Sequence, residues 1–105
     1  MKVLFDQGTP VPLRRYLRSH EVTTAYELAW STLQNGVLIA QAEATGFEVL
    51  VTMDKNWKHQ QNLRERRLAV VVLLSTSWPK IRLKVSAVVT AVDQATPGSH
   101  IEIET

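Results

Sequence analysis

Two aspartates stand where two apolar runs stop. Val3-Leu4-Phe5 ends at Asp6, ahead of Gln7-Gly8-Thr9-Pro10, and Val49-Leu50-Val51-Thr52-Met53 ends at Asp54. Short runs of this kind, rich in β-branched residues, are typical of strands covered on both faces of a parallel sheet. An acid at the carboxyl end of such a strand has two uses. It caps or turns the chain, or it does chemistry in the crevice that open α/β sheets form beyond their strand ends. For one aspartate alone the architectural use is the commoner. Two of them on adjacent parallel strands would face each other across a single crevice, and that favours a shared site. Carboxylate oxygens suit a hard divalent cation, so the chemistry expected there is metal-assisted. Glu27, in Tyr26-Glu27-Leu28-Ala29-Trp30, is a third acid that leaves a strand on the same side and can converge on the pair.

The elements needed to position these acids follow from pattern. Lys2–Phe5 reads as a strand. Pro10 and Pro12 then open a short helix, Leu13–Ser19, at positions where a missing N–H costs nothing. His20–Ala25 has the mixed polarity of a peripheral strand, and the segment from Tyr26 to Leu33 fits a loop or a helical turn. Good helix formers run from Val37 to Ala44, with Leu38, Ala42 and Thr45 along one face, Ile39 beside them, and Gly46 placed for a left-handed end. A central strand, Glu48–Met53, leads to Asp54 and a short basic helix reaching about Arg66. Leu68–Leu74 is the most apolar strand. Ser77 is a candidate cap for a helix running from Trp78 or Pro79 to about Gln94, with Ile81, Val85, Val88, Val89 and Val92 at helical spacing. His100–Glu104 alternates as a half-exposed edge strand does. Strands interleaved with helices argue for one domain over residues 1–105. Its expected class is α/β, a three-layer α/β/α arrangement around a mostly parallel five-stranded sheet, with right-handed crossovers and all strand ends on one side.

Composition narrows the classes of function. The 105 residues are 45% hydrophobic and 21% charged, ordinary values for one globular domain. The absence of cysteine excludes disulfides, thiolate metal sites and a cysteine nucleophile, and it fits a cytoplasmic setting. Met1 leads straight into a strand without a signal-peptide pattern, and no apolar run approaches the roughly 18 residues a membrane span needs. A net charge of +2 decides nothing by itself, but the basic residues are clustered: Arg14, Arg15 and Arg18; Lys55 and Lys58; and Arg64 to Lys84.

In this order the pieces resemble the short PIN-like proteins, compact relatives of the PIN-domain nucleases found in prokaryotic toxin-antitoxin systems. The resemblance covers nearly the whole chain. It is carried by Val3-Leu4-Phe5-Asp6 with basic residues behind it, the Glu27 segment, Val49 to Trp57, and the Val70–Leu74 strand. It implies an endoribonuclease that hydrolyses RNA phosphodiester bonds with Mg2+ or Mn2+ held by acids at strand ends, with an antitoxin protein as a partner. Asp6 and Asp54 match the family's acids directly, and Glu27 is a further match. Relatives often carry acids where this chain has Asn35, Gly36 and Val37, and again at Asn56. An amide oxygen at Asn56 can still ligate an ion, without charge.

Each assignment has a plainer counterpart. Lys55, Lys58 and Arg64 offer contacts to an RNA backbone, although a basic helix face is more often just solvated. Trp57 and Trp78 are packing anchors before they are stacking platforms. The Ile81–Val92 stripe is core, with part of it suited to a contact between two copies. The expected function is therefore a divalent-metal-dependent ribonuclease acting as a toxin. The alternative is a catalytically degenerate module that keeps the fold and binds RNA or a protein without cleaving. A phosphate-handling domain of the response-regulator sort requires an acidic pair after strand one and a lysine after a late strand, and neither is well placed here.

Overall fold

The computed structural model describes residues 1–54, 67–75 and 77–104. Five parallel strands form one sheet: β1 (Lys2–Phe5), β2 (Glu21–Thr24), β3 (Val49–Thr52), β4 (Ala69–Leu73) and β5 (His100–Ile103), in the order β2-β1-β3-β4-β5. The three central strands, β1, β3 and β4, are almost wholly buried, which is why they read as unbroken apolar runs. The two edges, β2 and β5, carry the mixed patterns expected of them.

Alternate residues of the strands feed two separate cores. Leu4, Leu50, Val70 and Val72 pack under α1 (Asn35–Thr45) through Leu38, Ile39 and Ala42, with Phe47 and Trp30 at the rim. Val3, Phe5, Val51, Val71 and Leu73 point the other way. They are covered by a short 3-10 helix, Val11–Tyr16, and by α2 (Trp78–Arg82) and α3 (Val85–Asp93). These are the three layers expected. Gly46 ends α1 at φ 92°, a left-handed turn in which its N–H reaches the carbonyls of Ala42 and Glu43.

Several boundaries differ from the sequence reading. Residues Leu13–Ser19 do not form an α-helix; the tighter 3-10 turns start earlier, at Val11, because Pro10 and Pro12 fix extended and turn-like angles just where the chain leaves β1. The segment 26–33 is a series of turns, with Ala29 at φ 60°. Thr45 is exposed, and its hydroxyl bonds back to the Gln41 carbonyl rather than packing with Leu38 and Ala42. The single helix expected from Trp78 to Gln94 is broken at Leu83-Lys84, and Ser77 precedes it without a side-chain capping bond. The basic helix expected after Asp54 lies outside the described residues.

The hand of the last crossover also departs from expectation. The β1–β2 connection moves toward one edge over the face that carries the 3-10 helix, and the β2–β3 connection moves back over the opposite face through α1. Those two share one hand. The β4–β5 connection moves in the same direction as β2–β3 yet runs over the 3-10 helix face, where α3 packs against that helix. It therefore has the opposite, rarely used hand. The physical reason is coverage. A six-residue 3-10 helix is too short to bury Val51, Val71 and Leu73, and Ile81, Val88 and Val92 of the broken helix complete the layer.

Candidate metal centre at the strand ends

The sheet order reverses direction at β1 and β3, the place where open α/β sheets form a crevice beyond their strand ends. Asp6 and Asp54 are the residues just past those two strands. Phe5 pairs with Val51, so Asp6 comes level with Thr52, and its N–H continues the ladder to the Val51 carbonyl at 3.0 Å. Thr52 is fully buried and links the two acids. Its hydroxyl donates to Asp6 Oδ2 at 2.8 Å and accepts the Asp54 backbone N–H at 3.1 Å. Asp6 Oδ1 accepts the Gln7 N–H at 2.8 Å.

Even with these contacts, Asp6 is disfavoured as an anion. Burial raises its pKa above the ordinary 3.8; the Thr52 hydroxyl and the Gln7 amide pull it back in part, and the Asp54 carboxylate adds to the rise. No cation among the described residues pairs with Asp6. Gly8 closes the turn behind it at φ 92°, where a Cβ would meet Met53 Cε at 3.3 Å. The Thr9 hydroxyl is buried against the Val51 carbonyl at 2.9 Å and ties this turn to β3.

Glu27 stands on the far wall of the same cleft. A cavity of about 380 Å3 lies between Asp6, Gly8, Val11, Arg14, Tyr26 and Glu27. Glu27 is committed, however: Oε1 accepts Arg14 Nη2 at 2.7 Å and the Thr24 N–H at 3.0 Å, while the Glu27 N–H returns to the Thr24 hydroxyl at 3.1 Å. The Thr24 amide contributes most to holding its carboxyl below the ordinary 4.5; desolvation opposes it, and the Arg14 guanidinium and the Thr24 hydroxyl add to the lowering. Arg14 also donates to the Val22 carbonyl through Nε and Nη2.

The expected cluster is thus assembled in part. Asp6 and Asp54 come together through Thr52, and Glu27 shares the cleft as one half of an ion pair. Among the described residues, no group of three or more His, Asp or Glu side chains is arranged to hold a metal ion. Lys55, Asn56, Lys58 and Arg64 lie outside the described residues. Glu43 lines a separate cavity at the other end of the sheet, away from this site.

Sequence reasoning missed Arg14 and Thr52 as members of the site. Arg14 was legible only as one of three nearby arginines. The signal that singles it out is the 3-10 period, which puts it one turn after Val11 and so on the cleft side. Thr52 stood out only as the polar residue in an otherwise apolar run.

The chain matches no family model, no curated protein and no solved structure. The donor set at Asp6 and Asp54 still discriminates among ions by its chemistry. Two carboxylates are too few for a calcium cage and contain no nitrogen or sulfur for zinc. They would suit Mg2+ or Mn2+, which are commonly held by one or two carboxylates while water and substrate phosphate complete the shell.

Proposed function

We propose that the protein is a divalent-metal-dependent endoribonuclease of the PIN-like type, acting as the toxin of a toxin-antitoxin pair. The observation that carries this reading is the juxtaposition of Asp6 and Asp54 at the ends of adjacent parallel strands, with burial working against the Asp6 anion. A cation there offsets that cost directly. Mg2+ or Mn2+ bound by these carboxylates supplies an activated water and neutralises charge developing on the phosphate. The chain's own contribution is placement. Thr52 fixes Asp6 through one oxygen, the Gln7 amide fixes it through the other, and the buried Thr9 hydroxyl holds the intervening turn.

A second reading is favoured by Glu27, whose carboxylate is already spent on Arg14 and the Thr24 amide. With two acids instead of three, the fold would serve as a binding module for RNA or a protein, without cleavage. Calorimetry with Mn2+ separates the two. Saturable heat from the wild type, lost in Asp54→Asn, together with chelator-sensitive cleavage of a mixed RNA pool, supports the enzyme. Equal heats in both proteins, or RNA left intact in the presence of either ion, overturn it. Growth arrest on expression, relieved by Asp6→Ala, tests the toxin role.

A further inference from the structure

The 3-10 helix has three ridges, because its side chains repeat every three residues. Val11 and Arg14 form one, facing the acid cleft. Leu13 is buried in the core. Pro12 and Arg15 form another, and with Tyr16 they make one wall of a separate groove whose opposite wall is Trp78 and Arg82, one turn apart on α2. The groove has a volume of about 240 Å3. That is below the range usual for a whole small-molecule ligand, and it suits one planar group of a longer molecule.

Its chemistry is uniform. No acid lines it. Arg15 and Arg82 are exposed, and among the described residues neither makes a hydrogen bond or ion pair. Tyr16 is 45% exposed, and its ring lies 6.3 Å from that of Trp78 at an angle of 46°. An exposed tyrosine ring beside a half-buried tryptophan that packs on the core, flanked by two guanidinium groups, is a combination that binds single-stranded nucleic acid: a base stacks on the rings, and the cations take the phosphates. Guanidinium groups pair with phosphate oxygens in bidentate fashion.

We propose that this groove is a subsite for single-stranded RNA, with a base stacked on Tyr16 and Trp78 and the adjoining phosphates held by Arg15 and Arg82. The assignment rests on the ribonuclease reading for its choice of RNA and adds to it a path for the substrate. The groove and the Asp6 cleft flank neighbouring ridges of this one short helix, Pro12 with Arg15 and Val11 with Arg14, so an RNA strand lying across the helix reaches both.

The test is fluorescence anisotropy with a labelled oligouridylate, in chelator, so that binding is read without cleavage. The wild type should bind with an affinity that falls as salt rises. Arg15→Gln/Arg82→Gln should weaken binding by about tenfold or more and reduce the salt slope by about 1.4, the loss of two phosphate contacts on a single strand. Tyr16→Ser should weaken binding by about tenfold with little change in slope. All three substitutions are at exposed positions, and circular dichroism verifies that the fold is retained. Unchanged affinity and slope in the arginine variant overturn the subsite, even if the protein cleaves RNA when Mg2+ is added. Arginine-dependent binding with no cleavage under any metal supports the subsite and removes the nuclease reading instead. A poly-glutamate peptide that binds equally well through the same arginines overturns the choice of nucleic acid in favour of an acidic protein partner.

Discussion

Asp6 and Glu27 look into one cleft from opposite walls, and their electrostatic situations are reversed. Glu27 is held by a guanidinium and a backbone amide, and its acidity is strengthened. Asp6 receives a hydroxyl and an amide, lies beside a second carboxylate, and is weakened as an acid by burial. A compensated charge of the first kind organises a loop. A charge kept at a cost, as at Asp6, is the pattern expected where a fold reserves a group for a ligand. On the proposed reading, the Glu27 side is architecture and the Asp6 side is where chemistry would occur.

The sharpest way to break this comparison is through activity. Asp6→Asn should reduce metal-dependent RNA cleavage by about 10²-fold or more, while Glu27→Gln should stay within about tenfold of the wild type in the same gel assay. Equal losses would make Glu27 a member of the site. Next in size is Thr52→Val, which leaves a buried Asp6 oxygen and the Asp54 N–H without their shared hydroxyl. It should cost about 1–3 kcal/mol in urea denaturation and raise the Asp6 pKa further, visible as an upward shift of the acid limb of the pH–rate profile. Gly8→Ala should cost about 1–2 kcal/mol by the same measurement, since its left-handed angle is strained for a side chain and Met53 must give way.

The smallest effects are the most diagnostic, because the two walls respond to pH with opposite sign. The Asp6 pKa is raised in the folded state, so folded Asp6 binds its proton more tightly than unfolded Asp6 does. Its contribution to stability therefore falls as pH rises from the ordinary 3.8 through the raised value. Asp6→Asn should melt at a higher temperature than the wild type at pH 7, and the gap should close as the pH is lowered through that window. Glu27 has a lowered pKa. It stabilises the fold above the ordinary 4.5 and loses that contribution as pH falls through the folded value. Glu27→Gln should melt lower than the wild type at pH 7 and converge with it in acid. Melting curves of the three proteins between pH 3 and 7 check both signs.

Elements whose partners are many and apolar were legible in the sequence. Lys2–Phe5, Glu48–Met53 and Leu68–Leu74 announced central strands because their apolar residues are buried on both faces, and Gly46 announced a left-handed helix end. Their adjacency, which brings Asp6 to Thr52 and Asp54, followed from parallel pairing. What could not be read depended on tertiary position. An α-helix starting at Leu13, as the sequence suggests, does not separate Arg14, which reaches Val22 and Glu27, from Arg15 beside it; only the 3-10 register starting at Val11 does. The break at Leu83-Lys84 interrupts no apolar pattern, and the hand of the last crossover depends on which face of the sheet was left bare. The class of the fold was visible from residue types; the commitment of Glu27 to Arg14 required the turn that returns residue 27 to Thr24.

The unusual hand of the β4–β5 return has a consequence for descent. A related chain that closed its sheet by the common route would carry α2 on the α1 side and would keep both aspartates, yet Trp78 and Arg82 would lie a sheet's thickness away from Tyr16 and Arg15. In that chain the proposed metal site and the proposed RNA subsite would be inherited separately, so a survey of relatives sorted by crossover hand should find the aromatic and basic pairs present together or absent together.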